Sequence, residues 1–259
     1  MDIARLATLV LAAWLLLGEP LLGRWSHRRL LAALDAGQPG ARLRFYRSWT
    51  VMAWVLAGVT TLVVLANGWS LAELGLRPPQ AVGGLGQGFV AGMAGALIAG
   101  LVIGLVLSRR QHHAPSRVAA APRVPGGDKV LRMLPYGRRE RWGFAALAVT
   151  AGLTEEWIWR GFGAAALHTA WPQLPMAPTV IVLALAFGWA HFYQGLAGMA
   201  ATAVLGGLFA WLYLSTGSLW LPMLLHVLVD LRALLVPVGT GASNQQADVQ
   251  TSAHHRGNP

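Results

Sequence analysis

Apolar residues dominate seven stretches of the chain, and most of these stretches are long enough to cross a bilayer. A helix needs about 20 mostly apolar residues to span the hydrocarbon core. The seven stretches are residues 3–22, 49–66, 82–107, 142–167, 178–193, 196–214 and 219–236. Because backbone polar groups in lipid must be satisfied within the protein, the pattern predicts helices and no strands. The expected fold is an all-α, polytopic membrane protein with about seven transmembrane helices.

Two of the polar segments between these stretches are strongly basic. Six of the 20 Lys and Arg residues lie in residues 23–48, and nine more lie in residues 108–141. Basic loops of membrane proteins face the cytoplasm, so we expect the N-terminus outside and the C-terminal tail inside. Residues 129–141 could form a short amphipathic helix that lies on anionic lipid.

The same pattern divides the chain into four parts. Residues 1–107 are expected to hold transmembrane helices 1 to 3, and residues 108–141 a basic cytoplasmic loop. Residues 142–237 are expected to hold helices 4 to 7 with a buried active site. Residues 238–259 form a polar tail that we expect to be disordered.

Within the third stretch, a small residue recurs at every fourth position. The six positions are Gly84, Gly88, Gly92, Ala96, Gly100 and Gly104. Such a stripe lets two helix backbones approach closely in a bilayer. We therefore expect this face of the third helix to pack against another helix.

Composition agrees with a membrane class and removes several kinds of chemistry. Hydrophobic residues make up 55% of the 259 residues and charged residues 12%. The chain has no Cys, which excludes disulfides, thiolate catalysis and Cys-ligated metal. The net charge of +10 comes mainly from the two basic segments, so the expected partner is membrane lipid and no nucleic acid. The expected location is the plasma (inner) membrane of the cell.

The segment Thr154–Gly163 places three ionisable residues inside the fourth apolar stretch. Charged groups in hydrocarbon are costly and need partners. Glu156 and Arg160 are four residues apart, in the favoured order for an ion pair on one helix face. Glu155 lies about 100° further round the helix. The spacing predicts a structural pair of Glu156 with Arg160 and leaves Glu155 free for chemistry.

Three more ionisable residues lie in the later apolar stretches. His191 belongs to the fifth, and His226 and Asp230 lie four residues apart in the last. That spacing lets the Asp230 carboxylate accept a hydrogen bond from an imidazole nitrogen of His226 and so fix the orientation of the ring. Intramembrane ionisable residues are candidates for function.

Two kinds of hydrolytic chemistry suit this set of residues. A carboxylate beside two imidazoles can activate a water molecule, with Glu as base and His orienting the water or stabilising the oxyanion. The same groups, Glu155, His191 and His226, could instead hold a divalent metal such as zinc with an open position for water. The motif HExxH is absent, which excludes the usual zinc-protease layout. A transporter that relays protons through these groups is a further alternative, although no inverted repeat is visible.

These spacings resemble a known family. The matching motifs are EExxxR (Glu155, Glu156, Arg160), FxxxH (Phe187, His191) and HxxxD (His226, Asp230). They resemble the CPBP family of intramembrane proteases, which includes CAAX prenyl endopeptidases and bacterial proteins linked to bacteriocin self-immunity. The motif trio covers about residues 150–232, and residues 1–65 are similar only as hydrophobic spans.

The resemblance implies a membrane-embedded endopeptidase and a role for each residue. Glu155 would be the general base, and Glu156 with Arg160 its structural pair. His191 and His226 would hold the water or the oxyanion. Asp230 differs from the Asn of eukaryotic prenyl proteases, which leaves a prenylated substrate an open question.

The resemblance also bears on partners and cofactors. The implied substrate is a membrane-associated peptide or protein, lipidated or not. Both metal-dependent and metal-free glutamate mechanisms are argued for the family, so no cofactor is assigned. A non-catalytic immunity or scaffolding protein with the same fold is the remaining alternative.

Overall fold

The computed structural model describes residues 2–80 and 131–235, together with positions 88, 91, 92, 95, 99 and 102. The α-helices of the described residues are α1 (Ile3–Ala13), α2 (Glu19–Asp35), α3 (Ala41–Ala66), α4 (Arg138–Glu155), α5 (Gly163–Ala170), α6 (Met176–Ala190), α7 (Leu196–Thr216) and α8 (Trp220–Leu231). The π-helical segments Trp14–Gly18 and Glu156–Phe162 join α1 to α2 and α4 to α5, and the 3₁₀ turns Phe192–Gln194 and Arg232–Leu235 follow α6 and α8. No strand occurs in these ranges, which confirms the all-α prediction for them.

Three of the described helices are long and apolar enough to cross a membrane. They are the continuous helix Ile3–Asp35, α3 and α7, and α6 is a shorter apolar helix. The protein is therefore a helical membrane protein. The predicted count of about seven spans is not confirmed, because α6 and α8 have only 15 and 12 residues. Most of the third predicted span, 82–107, lies outside the described residues.

The first basic segment, 23–48, is not the loop that the charge pattern predicted. Helix α2 continues to Asp35, and α3 begins at Ala41 after a short turn. The helix persists because its residues are amphipathic: Gly23, His27 and Leu30 share one buried face, while the arginines between them are exposed. Arginine is also a good helix former.

The second basic segment, 108–141, is described only from residue 131. Helix α4 begins at Arg138, four residues before the predicted boundary at 142. The turn before it is held to α3, since the Tyr46 hydroxyl donates to the carbonyl of Met133. The side chain of Arg42 donates to the carbonyl of Arg132 at 3.0 Å. Residues 108–130 of this segment and the tail 238–259 lie outside the described residues.

The small-residue stripe of the third predicted helix is described at two of its six positions. Gly88 and Gly92 are helical and exposed, and a Cβ at either would meet no atom within 4 Å. The predicted close contact with another helix is wrong at these two positions. The other four positions lie outside the described residues.

Glycines elsewhere bring the helices of the C-terminal half into close contact. A Cβ at Gly152 in α4 would lie 2.5 Å from a side-chain carbon of Val227 and 2.8 Å from its backbone nitrogen. A Cβ at Gly188 in α6 would lie 2.7 Å from the Cβ of Ala203 in α7. The backbones therefore meet only because these residues lack side chains. These contacts pack α8 against α4 and α6 against α7.

Candidate active site

The paired glutamates lie at the junction of α4 with the second π-helical segment. Glu155 is the last residue of α4, and Glu156 is the first of the π segment, all of which is buried. The segment is π-helical because each backbone N–H there donates to the carbonyl five residues earlier. One example is the N–H of Gly163, which donates to the carbonyl of Ile158. Single π turns inside α-helices occur frequently at functional sites.

Glu156 is the centre of a buried network that the sequence predicted only in part. Its Oε1 lies 3.0 Å from Nη1 of Arg160, which is the predicted ion pair. The same oxygen lies 2.7 Å from Nδ1 of His226 in α8. The two residues are far apart in sequence, so no spacing predicts this contact. A carboxylate only accepts, so Nδ1 of His226 carries the proton. Glu156 thereby sets the orientation of the His226 ring as well as neutralising Arg160.

Arg160 is held on its other sides by α6 and α7. Its Nη2 donates to the carbonyl of Gly206 at 3.2 Å, and its guanidinium lies 4.0 Å from the centroid of the Phe187 ring. A Cβ at Gly206 would lie 3.1 Å from Nη2 of Arg160, so glycine makes room for this contact. The arginine ties three helices together around the site.

Glu155 points toward both imidazoles. Its Oε2 lies 3.9 Å from Nε2 of His191 and 4.0 Å from Nε2 of His226. His191 is oriented by its own helix, because its Nδ1 lies 2.9 Å from the carbonyl of Phe187, which can only accept. In the neutral ring Nε2 is then the acceptor. The FxxxH spacing is thus explained by a hydrogen bond at the end of α6.

Asp230 does not lie behind His226 as predicted, but near the same ring nitrogen that faces Glu155. Its Oδ2 is 3.7 Å from Nε2 of His226, the nitrogen that also faces Glu155. At that distance it accepts no direct hydrogen bond. The other nitrogen of the ring, Nδ1, is bound by Glu156. Asp230 is therefore a member of the site's acidic wall rather than the group behind His226.

Glu155 and the residues around it line a cavity of about 390 Å³. One wall is polar and includes Glu155, His191, His226 and Asp230, together with Arg232. Apolar lining residues come from α3, α4 and the turn before α4, including Phe45, Trp49, Met133, Leu134, Phe144 and Leu147. A mainly apolar lining with a few convergent polar groups is typical of a ligand-binding site.

Two lining residues were missed from the sequence. Glu19 at the start of α2 and Tyr193 after α6 both face this cavity. The available signal for Glu19 was a lone carboxylate inside an apolar span, which is itself a mark of function. Tyr193 had no such signal, because a tyrosine beside a membrane helix is ordinary.

The spacing of the donor atoms does not fit a tetrahedral metal. Ligands about 2.0 Å from zinc lie roughly 3.3 Å apart, less than the 3.9 and 4.0 Å between Glu155 and the two imidazoles. No group of three His, Asp or Glu residues in the described part of the chain has the geometry of a metal site. The spacing is compatible instead with a single water that hydrogen-bonds to two of these atoms at about 2.8 Å each.

The fold and the site define a helical membrane protein with a buried glutamate–histidine centre. Residues 138–232 match the family model described as Type II CAAX prenyl endopeptidase Rce1-like. This part of the chain is therefore similar to the CAAX proteases of the CPBP family, as its motifs predicted. Helices α1 to α3 lie outside the matched segment. No curated protein and no solved structure matches the chain.

Proposed function

We propose that this protein is a membrane-embedded endopeptidase that hydrolyses peptide bonds of membrane-associated substrates with a water activated by Glu155. The observation that carries the proposal is the approach of the Glu155 carboxylate to two imidazole nitrogens, at 3.9 and 4.0 Å, within one cavity. The family match of residues 138–232 supports the reaction class.

Glu155 and His191 together would orient the attacking water. Both present acceptor atoms to the same point, so a water between them donates one hydrogen bond to each. Its lone pair is then directed away from both, toward a carbonyl carbon. Glu155 takes the proton as the oxygen attacks, which makes it the general base.

His226 would stabilise the oxyanion that forms in this step. Its ring is fixed at Nδ1 by Glu156, and the acidic groups around it favour a positive charge on the ring. As an imidazolium it presents Nε2–H, which donates to the carbonyl oxygen as that oxygen becomes negative. The tetrahedral intermediate then breaks its C–N bond, and the proton held by Glu155 passes to the leaving nitrogen.

The proposal also covers the arrangement in the membrane. We propose about seven membrane-crossing helices in the plasma (inner) membrane, with the basic segments on the cytoplasmic side. The three long apolar helices and the basic residues of α2 support this arrangement. Residues 142–237 would carry the catalytic helices, and α4 would extend that unit back to Arg138.

The test is hydrolysis of fluorogenic membrane-associated peptides by the purified full chain in lipid nanodiscs. Glu155→Gln keeps the shape of the side chain and removes the base, so we expect a loss of at least about 100-fold in kcat. Its Tm should stay within a few degrees of that of the wild type, because Glu155 accepts no hydrogen bond from the described residues at Oε2. Undiminished cleavage by the variant, or no cleavage by the wild type, would overturn the proposal.

A further inference from the structure

The continuous helix Ile3–Asp35, which lies outside the family-matching segment, contributes an acidic residue to the cavity. Glu19 lines the cavity together with Glu155, His226 and Asp230. It follows the first π segment, and its own N–H donates to the carbonyl of Trp14, five residues back. The second π segment begins at the site and this one ends there, and each has a carboxylate at its junction with the neighbouring α-helix.

The helix around Glu19 is built to hold that position. Pro20 has no N–H to donate to the carbonyl of Leu16, four residues back. That carbonyl accepts instead from the indole N–H of Trp189 in α6, at 2.8 Å. Trp189 lies two residues before His191, so one hydrogen bond fixes Glu19 relative to the catalytic histidine. A bulge and a proline at one point of a long helix both redirect its path.

One oxygen of the Glu19 carboxyl has no hydrogen-bond partner among the described residues. Its Oε2 is buried and receives no hydrogen bond from them. The carboxyl of Glu155 acts on Glu19 electrostatically, and the interaction is repulsive when both groups are ionised. A buried acceptor without a donor is costly, and a like charge nearby increases the cost. Such a group is stabilised when a donor or a cation enters the cavity.

The charges of the cavity identify that donor as a cation. Three carboxyl groups line it, from Glu19, Glu155 and Asp230, against Arg232 as the lysine or arginine of the lining. Arg160 is already neutralised by Glu156. With Arg232 and the imidazolium of His226 counted against the three carboxyl groups, the described lining still carries one more acidic group than basic groups, which a neutral peptide would leave uncompensated.

We propose that Glu19 is a specificity-determining residue, which binds a lysine or arginine side chain of the substrate close to the scissile bond. This inference rests on the proposed peptidase function but concerns binding, so the two can be separated. A basic segment next to the membrane is also drawn to anionic lipid, which brings such a substrate to the mouth of the cavity.

The experiment compares two peptides that differ only in Lys or Gln at the residues flanking the scissile bond. Binding by fluorescence anisotropy and cleavage are measured on the same full-length protein in nanodiscs. Wild type should bind and cleave the Lys peptide at least about tenfold better, which is about 1.4 kcal/mol. Glu19→Gln should remove most of this preference, whereas Glu19→Asp should retain part of it because the charge remains.

Asp2→Asn is the matched control on the same helix. It removes an exposed carboxylate that caps α1, and Asn caps equally well, so the preference should not change. Equal binding of the two peptides by wild type, or an unchanged preference in Glu19→Gln, overturns the inference. An equal loss of kcat for both peptides in Glu19→Gln overturns it too, since that result indicates a part in proton transfer. Preferential binding without any cleavage supports the inference and refutes the peptidase function.

Discussion

Replacing Glu156 with glutamine would leave a guanidinium buried without its counter-charge. Oε1 of Glu156 lies 3.0 Å from Arg160 and 2.7 Å from His226. The side chains of Glu156 and Arg160 are 0% and 1% exposed, so water cannot replace the lost interaction. The variant also weakens the hydrogen bond that orients His226. We therefore expect Glu156→Gln to lower both stability and activity.

The size of the stability loss follows from the burial. Removing one partner of a buried ion pair costs about 3–5 kcal/mol. The carbonyl of Gly206 and the ring of Phe187 still contact Arg160, which favours the lower end. For a chain of this size such a loss lowers Tm by roughly 6–20 °C. It is a large share of the about 5–15 kcal/mol by which folded proteins are usually stable.

Thermal unfolding followed by tryptophan fluorescence measures the effect, with two controls. Asp35→Asn breaks the exposed ion pair with Arg132, which should cost about 1 kcal/mol or less. Glu156→Gln combined with Arg160→Met removes both charges and should recover much of the lost Tm while staying inactive. If Glu156→Gln unfolds no earlier than Asp35→Asn, or if the double variant recovers nothing, the reasoning about the buried charge is refuted.

Two further predictions concern the last helix. Asp230→Asn should lower kcat only about three- to tenfold and leave Tm unchanged, because Glu156 and not Asp230 holds His226; a loss as large as that of a missing base, measured in the peptide assay, would contradict this. Gly152→Ala brings a methyl group within 2.5 Å of α8 and should lower both Tm and activity, whereas Gly58→Ala, which meets no atom within 4 Å, should do neither; equal unfolding temperatures for the two variants would contradict the close helix contact.

The elements that the sequence predicted well are those with a local cause. Apolar length gave the helical class, and the i, i+4 spacing gave the pair of Glu156 with Arg160. The role of Asp230 was predicted less well, because that prediction also relied on local spacing. Its spacing from His226 is also i, i+4, but a residue 70 positions away in sequence takes the nitrogen. Local spacing shows which side chains can meet and not which partner is preferred.

The path of the first helix could not be read from hydropathy. Basic residues after Gly23 suggested a loop, whereas an amphipathic helix keeps them outside and continues to Asp35. The π segment before Glu19 has no sequence signature beyond Pro20, since its geometry is stabilised by the contact of Leu16 with Trp189 on another helix. The contribution of this helix to the cavity is therefore a tertiary property.

The arrangement of charges explains how one site can be both stable and reactive within an apolar protein. Glu156 and Arg160 are fully buried, and each neutralises the other, so neither is free to exchange protons with substrate. Glu155 and Asp230 are 25% and 36% exposed toward the cavity, where water can reach them. His226 lies between the two layers, with Nδ1 bound to the buried pair and Nε2 facing the cavity. A proton that moves at Nε2 thus changes the charge of the cavity while the ring stays in place, because the buried layer holds its other side.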